Sequence, residues 1–420
     1  MTSHWCGLPI RLRNPLCNTL IMLVSLAVAS WGCNGNSSGL AIPDGNSSLG
    51  RWGEDANRGI DNTGADVRQT DLKTPETVVE PACHSNLPEA AVRTYFTKPC
   101  RQPDHCPCSP IDLGKIVKSI LDEAQESVDI CTMELQDFTV SKAVIAAHKR
   151  GVSVRLALDD NYDEAAENKA VSNLLDEGLT PHSDSPSGLL MHSKFIVVDS
   201  AKVLISSANL TTYDHRSNAN NLLVLHSPEL ATIFQTRFEA MWQNGKYHSI
   251  TSPGPYTATV DGSTIEVLFG PHWALPERLV EAIYAAEKSI HFNIFSFTLG
   301  EVKEAILDRC GDLEIRGVYD GDQSDDNNSV VVGGWCAGAD IRKADVPLTP
   351  GVDPDFGFRK LHHKVLIIDP GESTGLVITG SANWSYSAAT KNDEVMVTFE
   401  HPEVVSAFEE EFQARFKEAD

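Results

Sequence analysis

The sequence predicts an α/β fold made of two repeated halves that share one site. Three observations carry this expectation. Strands alternate with helices from about residue 89 onward, the order of elements recurs from about residue 260, and each copy ends on the same spaced set of His, Lys, Asp, Ser and Asn. Alternation implies a sheet covered by helices on both faces. Two copies imply a pseudo-twofold molecule with its ligand at the seam.

The N-terminus reads as an export signal. Arg11 and Arg13 precede an apolar run from Leu20 to Ala29, followed by Ser30-Trp31-Gly32-Cys33. That run is shorter than the ~20 apolar residues a spanning helix requires. Gly32 directly before Cys33 resembles the cleavage site of bacterial lipoproteins, although Ser30 and Trp31 depart from the usual residues there. The resemblance implies lipidation of Cys33, a membrane tether and a place in the bacterial cell envelope. Residues 34–88 are rich in Gly, Asn, Ser, Asp and Thr up to about residue 80 and read as a flexible tether. Residues 89–250 and 260–420 are the two halves.

In the first half Val92–Phe96 leads to a helix through Ile116, Ile120, Leu121 and Ala124. The strand Val128–Cys131, a helix through Ala143, Val144 and Ala147, and the strand Val152–Leu158 follow. In the second, Ile265–Phe269 leads to a helix through Leu279, Ile283 and Ala286. The strand Ile290–Phe295, a helix around Val302–Leu307 and the strand Leu313–Tyr319 come next.

Each half then closes on a hairpin pattern. The first reads Met191-His192-Ser193-Lys194-Phe195-Ile196-Val197-Val198-Asp199, returning through Ser206-Ser207-Ala208-Asn209. The second reads Leu361-His362-His363-Lys364-Val365-Leu366-Ile367-Ile368-Asp369, returning through Gly380-Ser381-Ala382-Asn383. Residues two apart share a strand face, so His192 and Lys194 are expected to point the same way, as are His362 and Lys364. A tight turn at Ser200-Ala201 would set Asp199 opposite Lys202, Lys194 opposite Ser207 and His192 opposite Asn209. A loop over Pro370–Gly375 would set Asp369 opposite Leu376, Lys364 opposite Ser381 and His362 opposite Asn383.

This doubled His-x-Lys-x4-Asp followed by Gly-Ser-x-Asn resembles the phospholipase D superfamily, with Ser206 in place of the first glycine. The resemblance implies two α/β/α sandwich domains sharing one active site at their interface, and no metal or other cofactor. It further implies that one neutral histidine (His192) attacks phosphorus and forms a phosphohistidine. The other (His362) protonates the leaving oxygen and then deprotonates water or an alcohol. Lys194 and Lys364 would neutralise phosphate oxygens, and Ser207, Asn209, Ser381 and Asn383 would donate hydrogen bonds to them. Glu394, eleven residues after Asn383, is expected to support His362; the matching position after Asn209 is Asn220. Asp199 and Asp369 fall at the far end of each strand, where turn-capping is as good a role as chemistry.

Among the cysteines after Cys33, the expectation is disulfides. Cys310 with Cys336 is one pair, and Cys131, inside an apolar strand, is the buried free thiol. A zinc site from Cys83, His84, Cys100, Cys106 and Cys108 lacks two Cys-x2-Cys knuckles and is set aside.

A net charge of −24 disfavours indiscriminate binding of polyanions. The segments entering each half-site are acidic early on, with Asp159, Asp160, Asp163, Glu164, Asp320, Asp322, Asp325 and Asp326 expected to rim the mouth. Leu189, Leu190, Trp335, Phe356 and Phe358 on the same segments are expected either to meet acyl chains or to pack as core. A phospholipid, with water or an alcohol as acceptor, is therefore the expected substrate, and no obligate protein partner is inferred. The alternative is an extracellular endonuclease of the same family, for which Arg342, Lys343, Arg359 and Lys360 would guide the strand.

Overall fold

The computed structural model describes residues 91–99, 111–163, 168–184, 188–250, 252–324, 328–344 and 357–419. The segments expected to be export signal and tether, Cys33, Cys83, His84, Cys100, Cys106, Cys108, Glu164, Asp325, Asp326 and Phe356 lie outside them.

β-Branched runs form two mixed sheets with one strand order. In the first half the order is Val92–Phe96, Asn221–His226, Lys202–Ser206, Phe195–Val198, Ser127–Cys131, Ser153–Leu158, His182–Ser183. In the second it is Ser263–Gly270, Glu394–Phe399, Leu376–Gly380, Lys364–Ile368, Ser289–Ile294, Glu314–Asp320, Asp340–Ala344, with Tyr256–Val260 added beside Ser263–Gly270. Equivalent strands occupy equivalent places, which is the repeat read from the sequence.

Apolar residues at helical spacing decide what covers each sheet. Leu113, Val117 and Leu121 of the helix Leu113–Glu123 are buried on the outer face of the first sheet with Val140 and Val144 of Phe138–Lys149. Asp112 and Asp137 cap these helices by accepting from the amides of Lys115 and Thr139. Leu279, Ile283, Val302 and Ile306 cover the second sheet likewise. Between the sheets lies a shared core, where Phe234 and Phe238 of Pro228–Trp242 belong to one apolar cluster with Phe408 and Phe412 of Pro402–Glu418. Each half is thus an α/β/α sandwich, and the inner helix layers merge.

Two backbone positions show why glycine recurs in the second half. A Cβ on Gly317 would lie 2.1 Å from Phe292 Cζ, and one on Gly380 (φ +137°) 2.2 Å from the Val395 carbonyl. Ser206, at the place of Gly380, uses its hydroxyl instead, donating to the Asn221 carbonyl (2.6 Å) and accepting from the Ala208 amide (2.9 Å).

Cys310 and Cys336 form a disulfide, and Cys131 is free and buried, as expected. Burial and the nearby Asp393 carboxylate push the Cys131 thiol well up, so it is an inert core group.

The hairpin registers differ from expectation by one residue. Val198 pairs with Lys202 and Ile368 with Leu376, so Asp199 and Asp369 sit in the turns with φ of 52° and 46°. Their carboxylates point back and brace the start of the neighbouring strand. Asp199 accepts from the amides of Gln125, Glu126 and Ser127, and Asp369 from those of Glu287, Lys288 and Ser289. Burial alone would raise both carboxyls, but these amides outweigh it and hold them below the usual range. The stabilisation is complete above the ordinary aspartate value and lost as pH falls through the depressed one. Asp369→Ala strands three amides and is expected to cost about 3 kcal/mol in urea unfolding. Asp199, less buried, is expected to cost less.

Candidate active site

The catalytic-type side chains converge because each half reaches into the other. The His192 amide donates to the Asp393 carbonyl (3.0 Å) and the Asp393 amide to the Leu190 carbonyl (3.0 Å), stitching the first motif to the second half. Conversely, Lys360-Leu361 pairs in parallel with Asn218-Ala219, and the His362 amide donates to the Ala219 carbonyl (3.0 Å). Both histidines are 7% exposed.

This crossing overturns the expected partner of Glu394. Both Glu394 carboxylate oxygens lie 2.9 Å from Nδ1 of His192, not His362. His362 Nδ1 instead faces Asn220 Oδ1 at 2.9 Å. The amide orientation of Asn220 follows from its NH2, which donates to the Asp214 carbonyl (3.0 Å). With each Nδ1 committed, each Nε2 is the nitrogen left for chemistry.

Ser207 and Ser381 are also placed differently from expectation. The Ser207 hydroxyl donates to Asn220 Oδ1 and the Ser381 hydroxyl to Glu394. They hold the groups that hold the histidines. The one-residue register shift is the physical reason, since it turns Ser207 and Ser381 away from the lysines and towards the next strand. Lys194 and Lys364 are buried beside their histidines, with Nζ donating to the carbonyls of His192 (2.7 Å) and His362 (2.6 Å). Asn209 is 6% exposed, and its Oδ1 and that of Asn383 have no protein partner.

Burial dominates the electrostatics. It lowers His192 below the ordinary histidine value against the pull of Glu394, and lowers His362 further because Lys364, Lys194, His192 and Lys360 all act against its charge. Burial brings Lys194 down to about 8 and, with Lys194 beside it, Lys364 well below its usual value. An anion entering this site would favour the charged forms of both lysines.

Sequence reasoning missed several residues here. Asp159 and Asp320, expected on the rim, are buried latches: they accept from the Met191 amide (2.7 Å) and the Leu361 amide (2.8 Å), one residue before each histidine. Their shared position at the end of equivalent strands was the available signal. Asp214 lies behind Asn220, with Oδ1 3.7 Å from His362 Nδ1. Glu134, half-buried, is raised to about 7 by burial and Asp214.

The lips are asymmetric. Leu189 and Leu190 precede the first motif, partly buried, whereas Arg359 and Lys360 precede the second. Arg359 stacks on exposed Tyr213 (4.0 Å), and Lys360 lies 5.8 Å from the Phe295 ring, whose edge meets His362. Phe358 is core, the second of the two expected placements, and Trp335 packs beside Phe292. Arg342 is committed to Phe416 and Asp340.

Two imidazole–lysine pairs contributed by repeated halves define a protein built to handle a phosphodiester at a seam. The chain belongs to the phospholipase D superfamily of phosphodiesterases: residues 117–242 and 279–416 each match the family described as "Cardiolipin synthase, PLD-like domain". It is 28% identical over 159 residues to a mitochondrial cardiolipin hydrolase of Danio rerio, covering 37% of this chain and 69% of that protein. It is 26% identical over 165 residues to a phospholipase D of Rickettsia typhi, covering 39% and 74%. In fold it is similar to the phosphatidylserine synthase of Haemophilus influenzae, with a TM-score of 0.52, 11% identity, and coverage of 78% of this chain and 87% of that one.

Proposed function

We propose that this protein hydrolyses phospholipid phosphodiesters, or transfers the phosphatidyl group to another alcohol, through a covalent intermediate on His192. The observation that carries the assignment of roles is the unequal pairing of the two histidines: a carboxylate on His192 and a neutral amide on His362. Attack through Nε2 of His192 places positive charge on that ring, which Glu394 stabilises as it develops. His362 is held low by burial and by Lys364, Lys194, His192 and Lys360; a phosphodiester anion beside it would favour its proton, and with Asn220 instead of a carboxylate it gives that proton up readily, as a general acid must.

In the first step the His192 Nε2–P bond forms, the bond from phosphorus to the leaving oxygen breaks, and that oxygen takes the Nε2 proton of His362. In the second, His362 removes a proton from water or an alcohol, whose oxygen displaces His192 from phosphorus. Lys194 and Lys364 offset the phosphate charge throughout.

Lipid is favoured as substrate by the names of the relatives and by the half-buried Leu189-Leu190 lip. An export signal and lipid anchor at Cys33 would hold the enzyme beside phospholipids in a bacterial envelope. Intact histidines and lysines in both motifs argue against a non-catalytic scaffold. The test incubates the full chain in detergent with mixed bacterial phospholipids, ethanol and EDTA, and follows phosphatidylethanol and phosphatidic acid by mass spectrometry. Product from wild type, and none from His192→Ala or His362→Ala, is expected. Nicked DNA with no lipid product would replace this reading with the endonuclease one.

A further inference from the structure

The segment joining the two halves carries a histidine outside both motifs. His248 lies between the helix Pro228–Trp242 and the strand Tyr256–Val260, and its side chain is 9% exposed. Nε2 is 2.7 Å from Asp184 Oδ2, in the first half, and Nδ1 is 3.3 Å from Asp393 Oδ2, in the second. Its backbone amide also donates to both Asp393 oxygens at 3.1 Å. Both carboxylates are fully buried. Nε2 is within hydrogen-bond distance of Asp184, whereas the Nδ1–Asp393 approach is an ion-pair contact; protonation sets positive charge, not a lone pair, against the second carboxylate. Charge balance points the same way: Arg237 bonds Asp393, so two buried carboxylates face one guanidinium until His248 is protonated.

Asp393 is where this matters for the site. Its backbone bonds to the Leu190 carbonyl and the His192 amide on either side of Met191, and the next side chain, Glu394, holds His192 Nδ1. We propose that His248, as an imidazolium, is a positioning residue that fixes Asp393 across the seam and so keeps Glu394 aligned on His192. The proposal rests on the reading of His192 as the reactive histidine. The groups facing the clamp are Asp184 and, beside it, Asp160 from the first half, Arg237 from the inner helix, Tyr247 next in the linker, and Asp393 with the Lys391 backbone from the second half.

Burial opposes the imidazolium, but the Asp184 hydrogen bond and the charges of Asp393 and Asp184 outweigh it and carry His248 above the ordinary histidine value. Burial also raises the Asp393 carboxyl, against Arg237 and His248. The clamp is therefore complete above the Asp393 titration and below that of His248. Its stabilisation is full below the unfolded histidine value and is lost as pH rises through the folded one.

The test compares wild type, His248→Gln and Asp184→Asn, as full chains, with a soluble p-nitrophenyl phosphodiester. Histidine ring NMR is recorded on the same samples. His248→Gln is expected to lower kcat about 10-fold at neutral pH with KM little changed, since a small misplacement near a reacting group is costly. Its pH profile should lose the His248 component. In the spectra, His248 should titrate above its ordinary value, shift down in Asp184→Asn, and carry the His192 resonance with it. An unchanged profile and an undisturbed His192 signal in both variants would overturn the proposal. If no phosphodiester is turned over by wild type, the proposed function fails while the spectra still decide the clamp.

Discussion

Alanine at either site histidine is expected to lower turnover by at least roughly 10⁴-fold, yet the two variants should part at the covalent step. In His362→Ala the nucleophile, its carboxylate and both lysines remain. A p-nitrophenolate leaving group needs no proton, so this variant should release about one equivalent of p-nitrophenol in a burst and then stall, because nothing deprotonates the attacking water. Acid quenching at that point should yield an adduct mapping to His192. His192→Ala should give neither burst nor adduct. An adduct on His362 would reverse the roles, and the absence of any adduct in either variant, with wild type active, would remove the covalent mechanism.

The second large effect concerns the carboxylate that crosses the seam. Glu394→Gln preserves shape but leaves His192 facing a neutral group, and is expected to slow kcat roughly 10²-fold or more, by analogy with other carboxylate–imidazole pairs. Since Glu394 lies on His192, the loss should fall on attack at phosphorus and be similar for good and poor leaving groups. A defect confined to poor leaving groups would instead mean that Glu394 serves leaving-group protonation. The reciprocal change, Asn220→Asp, should stabilise the His362 imidazolium and move the pH–rate profile upward. It would tie that histidine to its proton and slow turnover of poor leaving groups most.

These expectations depend on pairings that residue spacing did not supply. Periodicity found the repeat, because amphipathic helices and β-branched strands are dictated locally by which face is buried. The motifs found His192, Lys194, His362 and Lys364 by their repeated spacing, although His192, Lys194 and His362 lie just before the strands Phe195–Val198 and Lys364–Ile368 and not on them. The free buried Cys131 and the Cys310–Cys336 bridge were legible for similar reasons of context.

The hairpin registers were misread because turn geometry sets them: Asp199 and Asp369 adopt left-handed conformations and are drawn out of the ladder by three amides each. A slip of one residue was enough to misassign Ser207 and Ser381. Asp159 and Asp320 read as surface acids because composition does not reveal that a carboxylate has a backbone amide to satisfy at the end of a buried strand.

By itself, then, the sequence determined the fold class, the doubling and the residue types brought to the site. The tertiary structure alone decided which histidine meets the carboxylate. Glu394 stands at the same offset from its own motif as Asn220 does from the first, so spacing is blind to whether a pair forms within a half or across the seam. Packing of the inner helices and the reciprocal bonds of His192 to Asp393 and of His362 to Ala219 make it the latter.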